Sequence, residues 1–249
     1  MTVPTAIVPR EAARPKRVAT APKPFGGTWA RLVAPLAAVS IGACASREPA
    51  PEWQSNAKNG LERAVAAYFI GDTRIESQEF AVARAEIART GKPALVARAE
   101  LVRCASRVAS LVVEPCTRYD ALSQDAEPPE RAYAAYIAGR AAPADVAQLP
   151  EQHRALVSAG ATPASDLAAL QRITDPFSRL VGAAVSLQSG RAGPGVVDLA
   201  VETASAQGWR RPLLAWLQVQ LRQAEAAGDA PQVERIRRRI GLVDGTAPA

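Results

Sequence analysis

Apolar positions recur at helical spacing through most of this chain. Leu180, Ala183, Ala184 and Leu187 fall on one face of a helix, and Leu214, Leu217, Gln218 and Leu221 repeat that pattern 34 residues later. Each of these helices is followed by a second apolar-periodic segment, 196–206 and 233–240. Near the start, segments 61–70 and 79–88 form a further pair split by Gly71-Asp72, and Pro93 opens the next helix. Strand signals are sparse: few β-branched runs alternate with polar residues, and no Asn-Gly or Asp-Gly turn separates two such runs. The pattern predicts an all-α protein of antiparallel helix pairs.

Prolines punctuate the pattern. Proline suits the first helical turn, where its missing N–H leaves nothing unpaired. Pro93, Pro129, Pro150, Pro163, Pro176, Pro194, Pro212 and Pro231 each precede helix-like sequence, with Thr162 and Asp175 as caps. Gly91, Gly139, Gly160, Gly190, Gly208, Gly228 and Gly241 are the expected stops. Helix pairs recurring at about 34 residues resemble tetratricopeptide repeats, over roughly 61–110 and 176–241. No unit carries that family's full Trp, Leu-Gly, Tyr set, so a short α-solenoid and an irregular helical bundle both fit the spacing.

One segment departs from the amphipathic pattern. Residues 32–43 carry no charge, and Arg10, Arg14, Lys16, Arg17, Lys23 and Arg31 precede them against the single acid Glu11. A basic region and then a short apolar run define a secretory signal, too short for a spanning helix. Ile41-Gly42-Ala43-Cys44 closes the run and resembles the lipobox of bacterial lipoproteins. That resemblance implies a diacylglyceryl group on the Cys44 thiol, cleavage before Cys44, and acylation of the new amino terminus. Ala45 and Ser46 follow, as in the outer-membrane-directed class. The expected organisation is a signal peptide over 1–43, a flexible tether over 44–56, a helical domain over 57–241 and a frayed tail over 242–249. The resemblance thus implies a lipid-anchored envelope protein facing the periplasm, with the membrane and an envelope protein or peptide as partners.

Charge follows the same division. The chain carries a net +6, but taking the six basic residues and one acid of the leader from 30 and 24 leaves 24 and 23. Residues 44–249 are nearly neutral, which gives no footing for nucleic-acid binding.

Candidate chemistry is thin. Cys104 and Cys116 are a possible disulfide. If the helix opened by Pro93 ran to residue 113, Cys104 would lie about 13 Å from its end at 1.5 Å per residue. A bridge then requires the helix to stop near 106–110 or the chain to fold back after Pro115; otherwise the two are buried free thiols. His153, the one histidine, sits between Gln152 and Arg154 and reads as solvated. It has no ligand-spaced partner, so neither a metal nor a cofactor is expected. No Gly-x-Ser-x-Gly turn is present, and Gly190, Gly193 and Gly195 lack the preceding strand of a phosphate loop. Glu79, Glu86 and Glu100 lie among arginines at helical spacing and read as solvated surface ion pairs. No catalytic constellation emerges, and a non-enzymatic interaction protein is the expectation.

Two surface features remain. Arg235, Arg238 and Arg239 crowd one helix beside Arg237, either as a solvated face or as a site for anionic headgroups or an acidic partner. The alternative function is a lipid- or peptidoglycan-associated structural lipoprotein that uses this helix. Trp216 lies off the Leu213–Leu217–Leu221 stripe and is a candidate interaction anchor, with core packing as the alternative. Tyr68, Tyr133 and Tyr136 admit the same two readings.

Overall fold

The structure is a computed structural model that describes residues 50–158 and 162–246. The leader and Cys44 lie outside the described residues, as do Gly160 and the last three positions. Eleven α-helices and two 3₁₀ turns make up the described residues, with no strand among them. The all-α expectation holds.

The first half comprises α1 (Glu52–Ile70), α2 (Thr73–Ala88), α3 (Pro93–Ala109), the short α4 (Thr117–Asp120) and α5 (Pro128–Ile137). A 3₁₀ turn, Pro143–Gln148, leads into the single-turn α6 (Glu151–Arg154). The second half comprises α7 (Pro163–Arg172), α8 (Pro176–Gln188), α9 (Pro194–Ala206), α10 (Arg210–Ala226) and α11 (Ala230–Asp244). Among these helices, none is long and apolar enough to cross a membrane.

Local sequence sets the boundaries. Pro93, Pro163, Pro176 and Pro194 are first helical residues. The Asp175 carboxylate accepts the Ser178 N–H at 2.7 Å, and the Thr162 hydroxyl accepts the Ser165 N–H at 3.2 Å. Such caps pair backbone donors that the helix itself leaves open. Three boundaries differ from expectation. Helix α1 begins at Glu52, so residues 52–56 belong to the folded body and not to a tether. Helix α11 runs through Gly241 to Asp244 and stops at Gly245, whose φ of 79° gives the left-handed turn. Helix α3 ends at Ala109, and Leu111 takes a φ of 59°, which turns the chain back on itself.

Helix α3 is the centre of the molecule. It packs on α1, α2, α4, α5 and, across 66 intervening residues, α8. Ala97, Leu101, Ala105 and Ala109 on α3 are buried, as are Leu180, Val181, Ala183 and Ala184 on α8. Small residues at these positions let the two helices approach closely. A smaller cluster of Leu61, Ala64, Phe80, Ala83, Ile87 and Val96 joins α1, α2 and α3.

The second half stacks in order, α8 on α9, α9 on α10 and α10 on α11, as the 34-residue spacing suggested. A solenoid would stop there, since its units touch only their neighbours. Here α1 also packs on α10. Phe69 meets Trp209 at 4.5 Å and Phe177 at 5.5 Å, and Arg211 reaches the Thr73 hydroxyl at 3.2 Å. Near its two ends the body therefore makes a contact that strictly neighbour-to-neighbour stacking does not include.

Candidate functional site

An open cleft of about 180 Å³ is bounded by α3, α5, the turn into α6, and α8. Helix α3 presents Arg98, Leu101, Val102 and Ala105, spaced i, i+3, i+4 and i+7 on one face. Helix α5 adds Pro129, Glu130 and Tyr133 one turn apart. The 3₁₀ turn and α6 supply Gln148, Leu149, Pro150 and His153, and Phe177 at the start of α8 completes the wall. Pro128 and Pro129 open α5, Pro150 caps α6 and Pro176 opens α8, so backbone stiffness helps place three of these walls.

The walls are apolar, and two buried polar atoms face no partner. Glu130 is 3% exposed; its Oε1 accepts from the Arg98 Nε–H at 2.6 Å, while its Oε2 has no hydrogen bond. His153 is 1% exposed; its Nδ1 lies 3.0 Å from the Tyr136 hydroxyl, while its Nε2 has no hydrogen bond. Buried polar atoms are paired in the great majority of cases, so two unpaired ones lining one cleft are informative.

The proton positions follow from hydrogen-bond supply. The Tyr136 hydroxyl has no other acceptor, so it donates to His153 Nδ1 and the imidazole proton sits on Nε2. Burial holds the imidazole neutral, with its pKa pushed down to about 3. Burial also raises the Tyr136 hydroxyl well above its ordinary value, so it stays a protonated donor. Tyr133 is raised likewise, by burial first and then by the Asp175 carboxylate. Two residues that line the cleft therefore each hold one buried polar atom without a partner, an imidazole N–H and a carboxylate oxygen, beside the side chains of Arg98 and Gln148.

A second charged constellation is structural. Glu76 is 1% exposed and takes Arg103 at 2.8 Å and Arg107 at 3.1 Å. Burial pushes its carboxyl up, but the hydrogen bonds and charges of the two arginines outweigh that and its pKa lies below the ordinary value. Arg103 stacks over Phe80, while Arg107 and Arg211 both stack over Tyr68. These contacts tie α1 and α2 to α3, and α10 to α1.

Several expectations are corrected. His153 is not solvated: Leu149, His153 and Leu156, each 1% exposed, occupy i, i+4 and i+7 on one buried face. That spacing was present in the sequence, but the lone imidazole between Gln152 and Arg154 hid it. Trp216 is no surface anchor. It is wholly buried, and its indole N–H donates to the Ala109 carbonyl at 3.1 Å, closing the end of α3. Glu100 is 2% exposed and pairs across helices with Arg84, so it is not a solvated surface acid. Glu79 pairs with Arg63 on α1, and Glu86 with Arg89 along its own helix. Glu130 carried no sequence signal, since nothing local distinguishes it from other first-turn acids.

Cys104 and Cys116 are joined as a disulfide, with Cα atoms 6.0 Å apart. The early end of α3 and the turn at Leu111 make the bridge possible. Arg235 and Arg238 are exposed and Arg239 partly so, none of them in an ion pair among the described residues. Among the described residues no cluster of His, Cys, Asp or Glu could hold a metal ion.

No family model, no curated protein and no solved structure matches this chain.

Proposed function

We propose that this chain is a lipid-anchored protein of the bacterial envelope, held by Cys44 to the periplasmic face of the outer membrane, and that it acts by binding a protein or peptide partner. The cleft between α3, α5, α6 and α8 is its binding site. The observation that carries this reading is the pair of unpartnered buried atoms, Glu130 Oε2 and His153 Nε2, set in apolar walls. Binding sites have this composition: mostly apolar lining with a few polar groups that fix orientation. Catalysis fits less well. An imidazole with a pKa of about 3 is a weak base near neutral pH, and Glu130 is committed through one oxygen to Arg98.

Two measurements test the reading. Intact-mass analysis of membrane-extracted protein is expected to find a chain starting at a multiply acylated Cys44; Met1 retained without acyl groups refutes the anchor. A photo-crosslinker at Gln148, exposed on the cleft lip, is expected to give adducts in cells that vanish when Ala105→Leu fills the cleft. Adducts indifferent to that substitution refute the site.

A second reading rests on α11. Arg235, Arg238 and Arg239 share one face with Leu242, which is 71% exposed. A basic stripe ending in an exposed leucine suits an anionic headgroup surface. Liposome sedimentation at two salt concentrations tests it, with Arg235→Glu/Arg238→Glu as control; salt-insensitive binding removes it.

A further inference from the structure

The binding reading leaves the partner's chemistry open, and the cleft narrows it. We infer that the cleft receives a tyrosine side chain from an extended peptide segment, whose neighbouring residues lie along an adjoining groove. The inference rests on the binding reading above.

Size comes first. A cavity of about 150 Å³ holds one benzene ring, so about 180 Å³ admits one six-membered ring with a substituent. Leu101, Val102, Leu149 and Phe177 supply apolar surface for its faces and edges.

Polar complementarity selects among rings. A phenylalanine would bury Nε2–H of His153 and Oε2 of Glu130 without partners, which is costly. A tyrosine hydroxyl both accepts and donates, so of the aromatic side chains it alone has the chemistry to pair with an imidazole N–H and with a carboxylate. An indole only donates, and would leave His153 unpaired. Lysine or arginine would bring a charge that Arg98 already balances on Glu130, leaving one cation unmatched in an apolar wall. A carboxylate would face Glu130 itself.

The peptide context comes from the adjoining surface. Arg98 is shared between the cleft and a second, wider groove of about 580 Å³. Trp53, Ile87, Pro93 and Leu95 line it together with Lys58, Lys92, Asp125 and Glu127. A free small molecule would need only the cleft. A deep ring-sized cleft opening beside a longer groove of mixed charge suits a side-chain anchor with flanking backbone.

The test uses the full chain in detergent, labelled with ¹⁵N-histidine. His153 is the one histidine, so its imidazole signals report the cleft alone. Three probes are titrated: acetyl-Ala-Ala-Tyr-Ala-Ala-amide, its phenylalanine counterpart, and free 4-methylphenol. The tyrosine peptide is expected to shift the Nε2–H resonance and to bind about tenfold tighter than the phenylalanine peptide, as two modest hydrogen bonds imply. His153→Phe is expected to erase that preference. Trp53→Ala is expected to weaken the tyrosine peptide while leaving 4-methylphenol unchanged. Equal binding of the two peptides overturns the inference. So does 4-methylphenol binding as tightly as the peptide, which would make the cleft a small-molecule site. If no probe moves the resonance, the inference falls. Persistence of the Gln148 adducts in cells would then show that the binding reading survives with a different partner chemistry, while their loss would remove both.

Discussion

Acid sensitivity centred on His153 is the sharpest expectation the structure raises. Folding buries this imidazole and lowers its pKa from 6.5 to about 3. The unfolded chain takes up a proton as pH falls through 6.5, and the folded chain does not until about pH 3. Folded stability is therefore intact above pH 6.5 and declines below it, by about 1.4 kcal/mol per pH unit. Between pH 6.5 and 5 the loss is about 2 kcal/mol, and by pH 3 it is about 5 kcal/mol, a large part of a typical domain's 5–15 kcal/mol. Other groups do not mimic this. Glu76 has a lowered pKa, so its stabilisation is present above the unfolded value of 4.5 and is lost as pH falls through the still lower folded value, beneath the window. Asp175 has a raised pKa, chiefly through burial, so its protonation on acidification favours the folded state, the opposite sign. The assay is guanidinium unfolding at pH 7, 6 and 5, followed by the fluorescence of buried Trp209 and Trp216. His153→Phe keeps a ring in place and cannot titrate, and Asp175 contributes equally to both proteins. The parent is expected to lose about 2 kcal/mol more than the variant between pH 7 and 5. Parallel curves, or an imidazole ¹⁵N titration near 6.5, would refute the placement of His153.

Three further outcomes follow from packing. Trp216→Ala removes a wholly buried indole and leaves the Ala109 carbonyl unpaired, so it should cost about 3–5 kcal/mol in denaturant unfolding, and Trp216→Phe should cost less. Gly182→Ala would place a methyl 2.7 Å from Leu156 Cδ1 and 2.8 Å from Leu170 Cδ2, behind the Tyr136–His153 pair; a loss of about 1–3 kcal/mol in thermal or chemical unfolding is expected. Cys104→Ser/Cys116→Ser opens a bridge spanning 12 residues and should lower stability by about 3 kcal/mol, a loss that dithiothreitol reproduces in the parent and not in the double variant.

The helices and most of their limits were legible because they depend on neighbours in the chain. Pro93, Pro163, Pro176 and Pro194 start helices wherever they stand in a fold, and Asp175 caps through an atom three residues away. Spacing along one strand of chain also carried the stacking of α8 through α11. The near-neutral charge of residues 44–249 and the lipobox resemblance at Cys44 are properties of sequence alone, and the structure adds nothing to them.

What joins distant helices was not legible. The contact of α3 with α8 and of α1 with α10 depends on three-dimensional closure, which no local period encodes. Contacts between helices buried Trp216 against the end of α3, set Glu76, Glu100 and Glu130 out of solvent beside arginines of neighbouring helices, and placed His153 in a buried wall. A side chain's solvation is a property of its final neighbours, and for these residues the neighbours come from elsewhere in the chain. The cleft exists only where four such elements meet.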